Sequence, residues 1–264
     1  ALLFFTSSCS VFFNNQQEAE VTVQEPLPLP PILDGSFFGE KIDIISVAEI
    51  FALTREQQAN FLHFYNDRKI TSISPHKRIY RFMERRLESF EYFADTVIAT
   101  ESLSLNKGNC LSLAILTKSL ADLANIEISY QLVETEPIYQ KEGNIIVSSQ
   151  HIQTVLFQPK SLEPGNFFIF PDRIVIDYFP VDKSRILRRV DEDEFISMFY
   201  SNRAAEALLQ DDNNLAYWYI KSALDTKPND ANAINIMAVI HERSGYSDYA
   251  EKLYLFGLEN VNSL

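Results

Sequence analysis

Thiols, histidines, basic charge and long apolar runs are all scarce in this chain. Two cysteines occur in 264 residues, Cys9 and Cys110, so the body of the sequence holds a single thiol and one Cys9–Cys110 disulfide is the most that can form. Such a bond suits an oxidising compartment and would disable a nucleophile at Cys110. The four histidines, His63, His76, His151 and His241, include no close pair, and Cys110 has no second cysteine near it. That spacing makes a poor zinc site, and the sequence calls for no metal and no cofactor. Lys and Arg total 23 against 36 Asp and Glu, a net charge of -13. This balance opposes long-range attraction to phosphate backbones and to anionic lipid, so nucleic acid is not an expected partner. Beyond the N-terminal residues, no stretch nears the ~20 apolar residues a membrane-spanning helix requires.

What is present is enough to build a core. The chain is 46% apolar and 22% charged, which predicts one domain of about 150 residues with a smaller appendage. The densest basic cluster, Lys77, Arg78, Arg81, Arg85 and Arg86, alternates with Ile79, Phe82, Met83, Leu87 and Phe90 at intervals of three and four. It reads as the wet face of an amphipathic helix. Helices are predicted over 54–67, where Thr54 to Gln57 has capping-box spacing, over 75–93, where Pro75 suits a first turn, and over 110–125. Past residue 126 the apolar period changes to two or to short runs at 127–134, 144–157, 167–170 and 173–178, separated by Gly143, Pro159, Pro164-Gly165 and Pro171-Asp172. Helices first and strands after predict an α+β fold with a mostly antiparallel sheet.

Three residues in this framework carry chemistry by type and place. Cys110 follows Gly108-Asn109 and opens the apolar pattern Leu111, Leu113, Leu116, Leu120. It therefore falls at a helix N-terminus, where half a unit of positive charge and unpaired N–H groups favour a thiolate and can bind an oxyanion. His151 opens an apolar strand and Asp177 closes another. A carboxylate in an otherwise apolar strand needs a partner. Singly, each residue has an ordinary structural reading; together they stand in the order nucleophile, base, orienting acid.

The segments GNCLSLAILTKSLADLANIEISYQLV, HIQTVLF and RIVIDYF resemble the transglutaminase-like branch of the papain-like cysteine superfamily, over about residues 90–180. The resemblance implies a cysteine-bearing helix followed by histidine and aspartate on adjacent strands. In it Cys110 is the nucleophile, His151 the general base and acid, and Asp177 the orienting acid. The interval from His151 to Asp177 is longer than that family's pattern, and Ile152, Gln153 and Thr154 stand where aromatic residues are usual.

Toward the C-terminus, a displacement of 34 residues pairs Ala204 with Ala238, Ala216 with Ala250, Ile220 with Tyr254 and Ala223 with Gly257. This resembles two tetratricopeptide repeats, with Pro228 between them and Gly245 in the second turn. Tyr217, Trp218 and Tyr219 are expected to pack between helices, the alternative being the lining of a peptide groove. At the other end, Ala1 to Cys9 runs from apolar to small to cysteine. It resembles the lipobox of bacterial lipoproteins, with Cys9 the lipidated residue. The run Pro26-Leu27-Pro28-Leu29-Pro30-Pro31 that follows forbids helix and sheet and reads as a spacer.

The domain expectation is therefore a leader remnant at 1–13, a proline-rich linker at 14–36, a transglutaminase-like domain at 37–196 and two tetratricopeptide-like repeats at 197–264. The expected activity is acyl transfer from an amide of a peptide or protein substrate, by hydrolysis or cross-linking. The expected setting is the periplasm or cell envelope of a bacterium, with the membrane touched only through a lipid at Cys9. The alternative is an inactive papain-like domain whose repeats bind a protein partner as a scaffold.

Overall fold

The computed structural model describes residues 28–260 apart from 94, 135–138, 143–144, 149–150, 160–171 and 180–184. Cys9 and the strand predicted at 167–170 lie outside these. Three helices come first, each begun as its sequence dictates: α1 (Val47–Phe51) by a Ser46/Glu49 capping box, α2 (Arg55–Tyr65) by a Thr54/Gln57 box and α3 (Pro75–Leu87) by its proline. The pattern predicted α3 to continue to 93. It stops at Leu87 because Glu91–Tyr92 (β1) is extended and pairs in parallel with Lys107–Gly108 (β2). Between them, α4 (Ala99–Leu105) ends on Asn106 at φ 51°, a left-handed cap that asparagine tolerates. The helix α5 (Cys110–Leu123) is buried over most of its length and forms the centre of the core.

The strands are β3 (Ile128–Glu134), β4 (Tyr139–Glu142), β5 (Ile145–Ser148), β6 (His151–Phe157), β7 (Arg173–Asp177) and β8 (Arg185–Val190). The run 144–157, expected as one strand, is two. Among the described residues β5 pairs only with β4, in a small hairpin, while β6 joins an antiparallel sheet of order β7-β6-β3-β8. Six of the seven β6 residues are buried, as a strand between two neighbours and against α5 must be. The fold is α+β, helices before sheet.

Four helices follow: α6 (Glu192–Leu209), α7 (Asn213–Thr226), α8 (Ala231–Arg243) and α9 (Ser247–Asn260). The ends of α6 and α8, and both ends of α7 and α9, lie 34 residues apart, the displacement read from the sequence. Residue 197, where the repeats were expected to begin, lies inside α6. This helix also belongs to the sheet: Phe195 stacks on Tyr130 of β3 with ring centroids 3.9 Å apart and planes 5° from parallel.

The end of the predicted linker is packed against these helices. The Leu33 N–H donates to His241 Nε2 at 3.2 Å, the Leu33 carbonyl accepts from the Tyr217 hydroxyl at 2.8 Å, and Phe38 stacks on Tyr217 at 4.4 Å. Tyr246 donates to the Phe37 carbonyl, and Asn214 and Trp218 donate to that of Glu40. Gly35 lies so close to Trp218 that a Cβ there would meet its ring at 2.5 Å. Residues 32–40 thus form a strap across α7 and α8. Tyr217 and Tyr219 are buried, in keeping with the packing expectation for these aromatics. The basic cluster on α3 is likewise engaged with its surroundings: Arg78 donates to the carbonyls of Ile73 and Thr71, Arg86 to that of Leu103, and Arg85 lies over Phe64.

Candidate active site

Cys110 is the first residue of α5, placed there by its neighbours. Asn109 is the N-cap, its Oδ1 accepting from the Ser112 N–H at 2.9 Å while the Ser112 hydroxyl returns to the Asn109 N–H. Gly108 sits at φ +144°, and a Cβ on it would meet the Ser112 side chain at 2.6 Å. The entry into the helix therefore requires glycine. A buried threonine secures this corner from outside. Thr96 Oγ1 accepts from Asn109 Nδ2 at 2.8 Å and from Asn202 Nδ2 of α6 at 3.0 Å, and the Thr96 N–H donates to Glu206 of α6 at 2.6 Å. The Val97 N–H holds Ser112 Oγ at 2.9 Å.

The two strands bring the other residues to the same end of the sheet. Gln153 of β6 is opposite Asp177 of β7, so His151 is two residues along on the same face. His151 Nε2 lies 2.6 Å from Asp177 Oδ1, which also accepts the Phe179 N–H at 3.1 Å. Gln153 donates to Asp177 Oδ2 at 2.6 Å and is itself held through Oε1 by Gln131 of β3 at 2.8 Å. Three donors converge on Asp177, the arrangement a carboxylate requires. With Nε2–H directed at Asp177, the lone pair of the His151 ring is on Nδ1. The His151 side chain is 8% exposed and that of Asp177 23%, so the pair is shielded while its edge reaches solvent.

The Cys110 sulfur lies against the N–H of Ile152, the residue after His151, and against the N–H groups of Leu111 and Cys110 itself, within electrostatic reach of Asp177. Cys110 is a free, half-buried thiol. Its acidity runs opposite to the expectation from a helix N-terminus. Burial pushes the thiol pKa up and the charge on Asp177 adds to this, while the three N–H groups pull it down and do not prevail. A thiolate here depends on a base that takes the proton as it forms.

A second polar group ties the helix to the strands. Tyr178, fully buried next to Asp177, donates to Thr117 Oγ1 of α5 at 2.7 Å and shares a 2.6 Å hydrogen bond with Thr154 of β6. Thr117 in turn donates to the Leu113 carbonyl. Burial raises the phenol pKa far above its ordinary value, so Tyr178 stays a neutral donor. The Tyr92 hydroxyl donates to the Tyr178 carbonyl, and its own pKa is raised by burial and by Cys110 and Asp177 nearby.

The structure joins His151 to Asp177 directly and sets Cys110 against the N–H of Ile152, next to His151, and within electrostatic reach of Asp177. His63 carries no part of it. His76 is buried 3.8 Å from Asp172, and His241 of α8 holds the strap at Leu33. Sequence reasoning missed Gln131, Gln153, Thr96 and Tyr178. The signal for the glutamines was there: amides within apolar strands, at positions where burial demands a partner. No family model, curated protein or solved structure matches the chain.

Proposed function

We propose that the protein is a cysteine-dependent acyl transferase or hydrolase acting on an amide of a peptide or protein, with a papain-like, transglutaminase-like core. The observation that carries this reading is the His151–Asp177 pair, oriented by Gln153 and Phe179, beside the first turn of the Cys110 helix. In the reaction His151 Nδ1 takes the Cys110 proton and the sulfur bonds to the amide carbon. The oxyanion is met by first-turn N–H groups of α5. The C–N bond then breaks, His151 returns the proton to the leaving amine, and a thioester remains on Cys110. Water or a second amine attacks the thioester, passing its proton to His151, and the restored thiol leaves. Asp177 keeps the imidazole in one tautomer and steadies its protonated form.

The helices α6 to α9 fit a pair of tetratricopeptide-like units that present a protein-binding surface. Export and lipid anchoring at Cys9 rest on the sequence of residues 1–9 and belong to the same proposal. The test is alkylation of Cys110 by iodoacetamide at neutral pH, followed by mass spectrometry. The reading expects rapid labelling that His151→Ala slows about a hundredfold, the low end of what a positioned base contributes. Labelling no faster than that of a free thiol, and unchanged in His151→Ala, would replace it with the inactive scaffold. The raised thiol pKa is the observation that favours this second reading.

A further inference from the structure

Two large aromatic rings stand exposed beside this corner: Tyr92 at 45% and Phe179 at 51%. They come from two separate segments of chain, and each is fixed by the backbone that builds the site. Tyr92 is in register with Gly108, and the Phe93 N–H donates to the Gly108 carbonyl at 3.0 Å, two residues before Cys110. Phe179 is two residues past Asp177 and bonds it through its own N–H. The Tyr92 and Phe179 rings meet edge to face at 5.6 Å, and the Tyr92 hydroxyl is anchored on the Tyr178 carbonyl. Lys107 lies over the Phe93 ring at 5.2 Å from its centroid.

Exposed aromatic surface is unfavourable in water, and here it is concentrated and already ordered, so little freedom is lost when something covers it. Asp177, bonded by the Phe179 N–H, puts negative charge next to the Tyr92–Phe179 pair, which disfavours a carboxylate there, while Lys107 is taken up over Phe93. Resting on the reading of Cys110 as a nucleophile, we propose that Tyr92 and Phe179 form the specificity-determining rim. It selects an amide donor with an aromatic side chain next to the reacting carbonyl and rejects one with a carboxylate side chain. The ring of the donor completes the edge-to-face cluster that Tyr92 and Phe179 begin.

The experiment compares two peptidyl acyloxymethyl ketones that differ only in the side chain beside the ketone, phenylalanyl and aspartyl. The carboxylate leaving group departs as the Cys110 sulfur bonds to the methylene carbon, so each rate reports both the thiol and the rim. The phenylalanyl probe is expected to label Cys110 at least about tenfold faster, a difference of about 1.4 kcal/mol. In Phe179→Ala the ratio of the two rates is expected to fall toward one. Equal rates in the unmodified protein, or a ratio that Phe179→Ala leaves intact, would overturn the rim while labelling that still depends on His151 keeps the nucleophile. Labelling by both probes that ignores His151→Ala would instead bring down the reading on which the rim rests.

Discussion

His151 and His241 are both enclosed rings, and their partners set them apart. His151 gives Nε2 to a carboxylate that three donors hold in place, and its surroundings open to solvent at Asp177. His241 is completely buried, gives Nδ1–H to the Met237 carbonyl at 2.8 Å and accepts the Leu33 N–H on Nε2. A carboxylate welcomes the imidazolium that forms when the ring takes a proton. At His241 burial disfavours the charged ring, the Met237 carbonyl only partly opposes this, and a protonated ring would turn a donor toward the Leu33 N–H. His241 is therefore held neutral by its surroundings, whereas His151 faces a carboxylate.

The largest expected difference follows from this. His151→Ala slows iodoacetamide labelling of Cys110 about a hundredfold, while His241→Ala leaves that rate unchanged and acts on the strap alone. Equal effects in the two variants would break the comparison. Next comes Tyr178→Phe, which leaves the Thr117 and Thr154 hydroxyls short of their buried partner. Chemical denaturation should show a loss of about 2–3 kcal/mol, with the labelling rate changed less than in His151→Ala. Gly35→Ala should cost about 1 kcal/mol, because the new methyl group pushes against Trp218 at the strap. The sign to look for is faster limited proteolysis within 28–40 with the far-ultraviolet circular dichroism unchanged.

The smallest effect is in pH. Burial lowers the pKa of His241, and that of His76, below the ordinary 6.5. The unfolded chain then binds protons that the folded chain resists. Stability is full above about 6.5 and falls as pH drops through that value toward the folded pKa. Proteolysis of the strap should therefore accelerate between pH 7 and pH 5, and His241→Gln should flatten that change.

The same contrast separates what the sequence shows from what it hides. The start of α5 was legible because Gly108 and Asn109 are local signals, read from neighbours alone. His151 and Asp177 were legible because a polar group in an apolar strand is an anomaly. Gln153 was not recognised as the second partner of Asp177, because its role depends on the register of β6 against β7, set by pairing across 24 residues. The strap was hidden for another reason. Proline forbids regular structure, and that prohibition is silent on whether an irregular segment docks. The thiol pKa went the other way because a helix dipole is a local property while burial belongs to the finished core. The end of α3 was misjudged for lack of any local stop signal at Leu87; tertiary pairing of β1 with β2 ended it.

The helix α6 gives the chain an indivisible joint. Its Phe195 lies flat on Tyr130 of the sheet, and its Asn202 and Glu206 grip Thr96, which grips the cap of the helix that Cys110 begins. A saw cut between the sheet body and the helical pairs has nowhere to pass: on either side of residue 197 it would carry off a beam that the other half stands on.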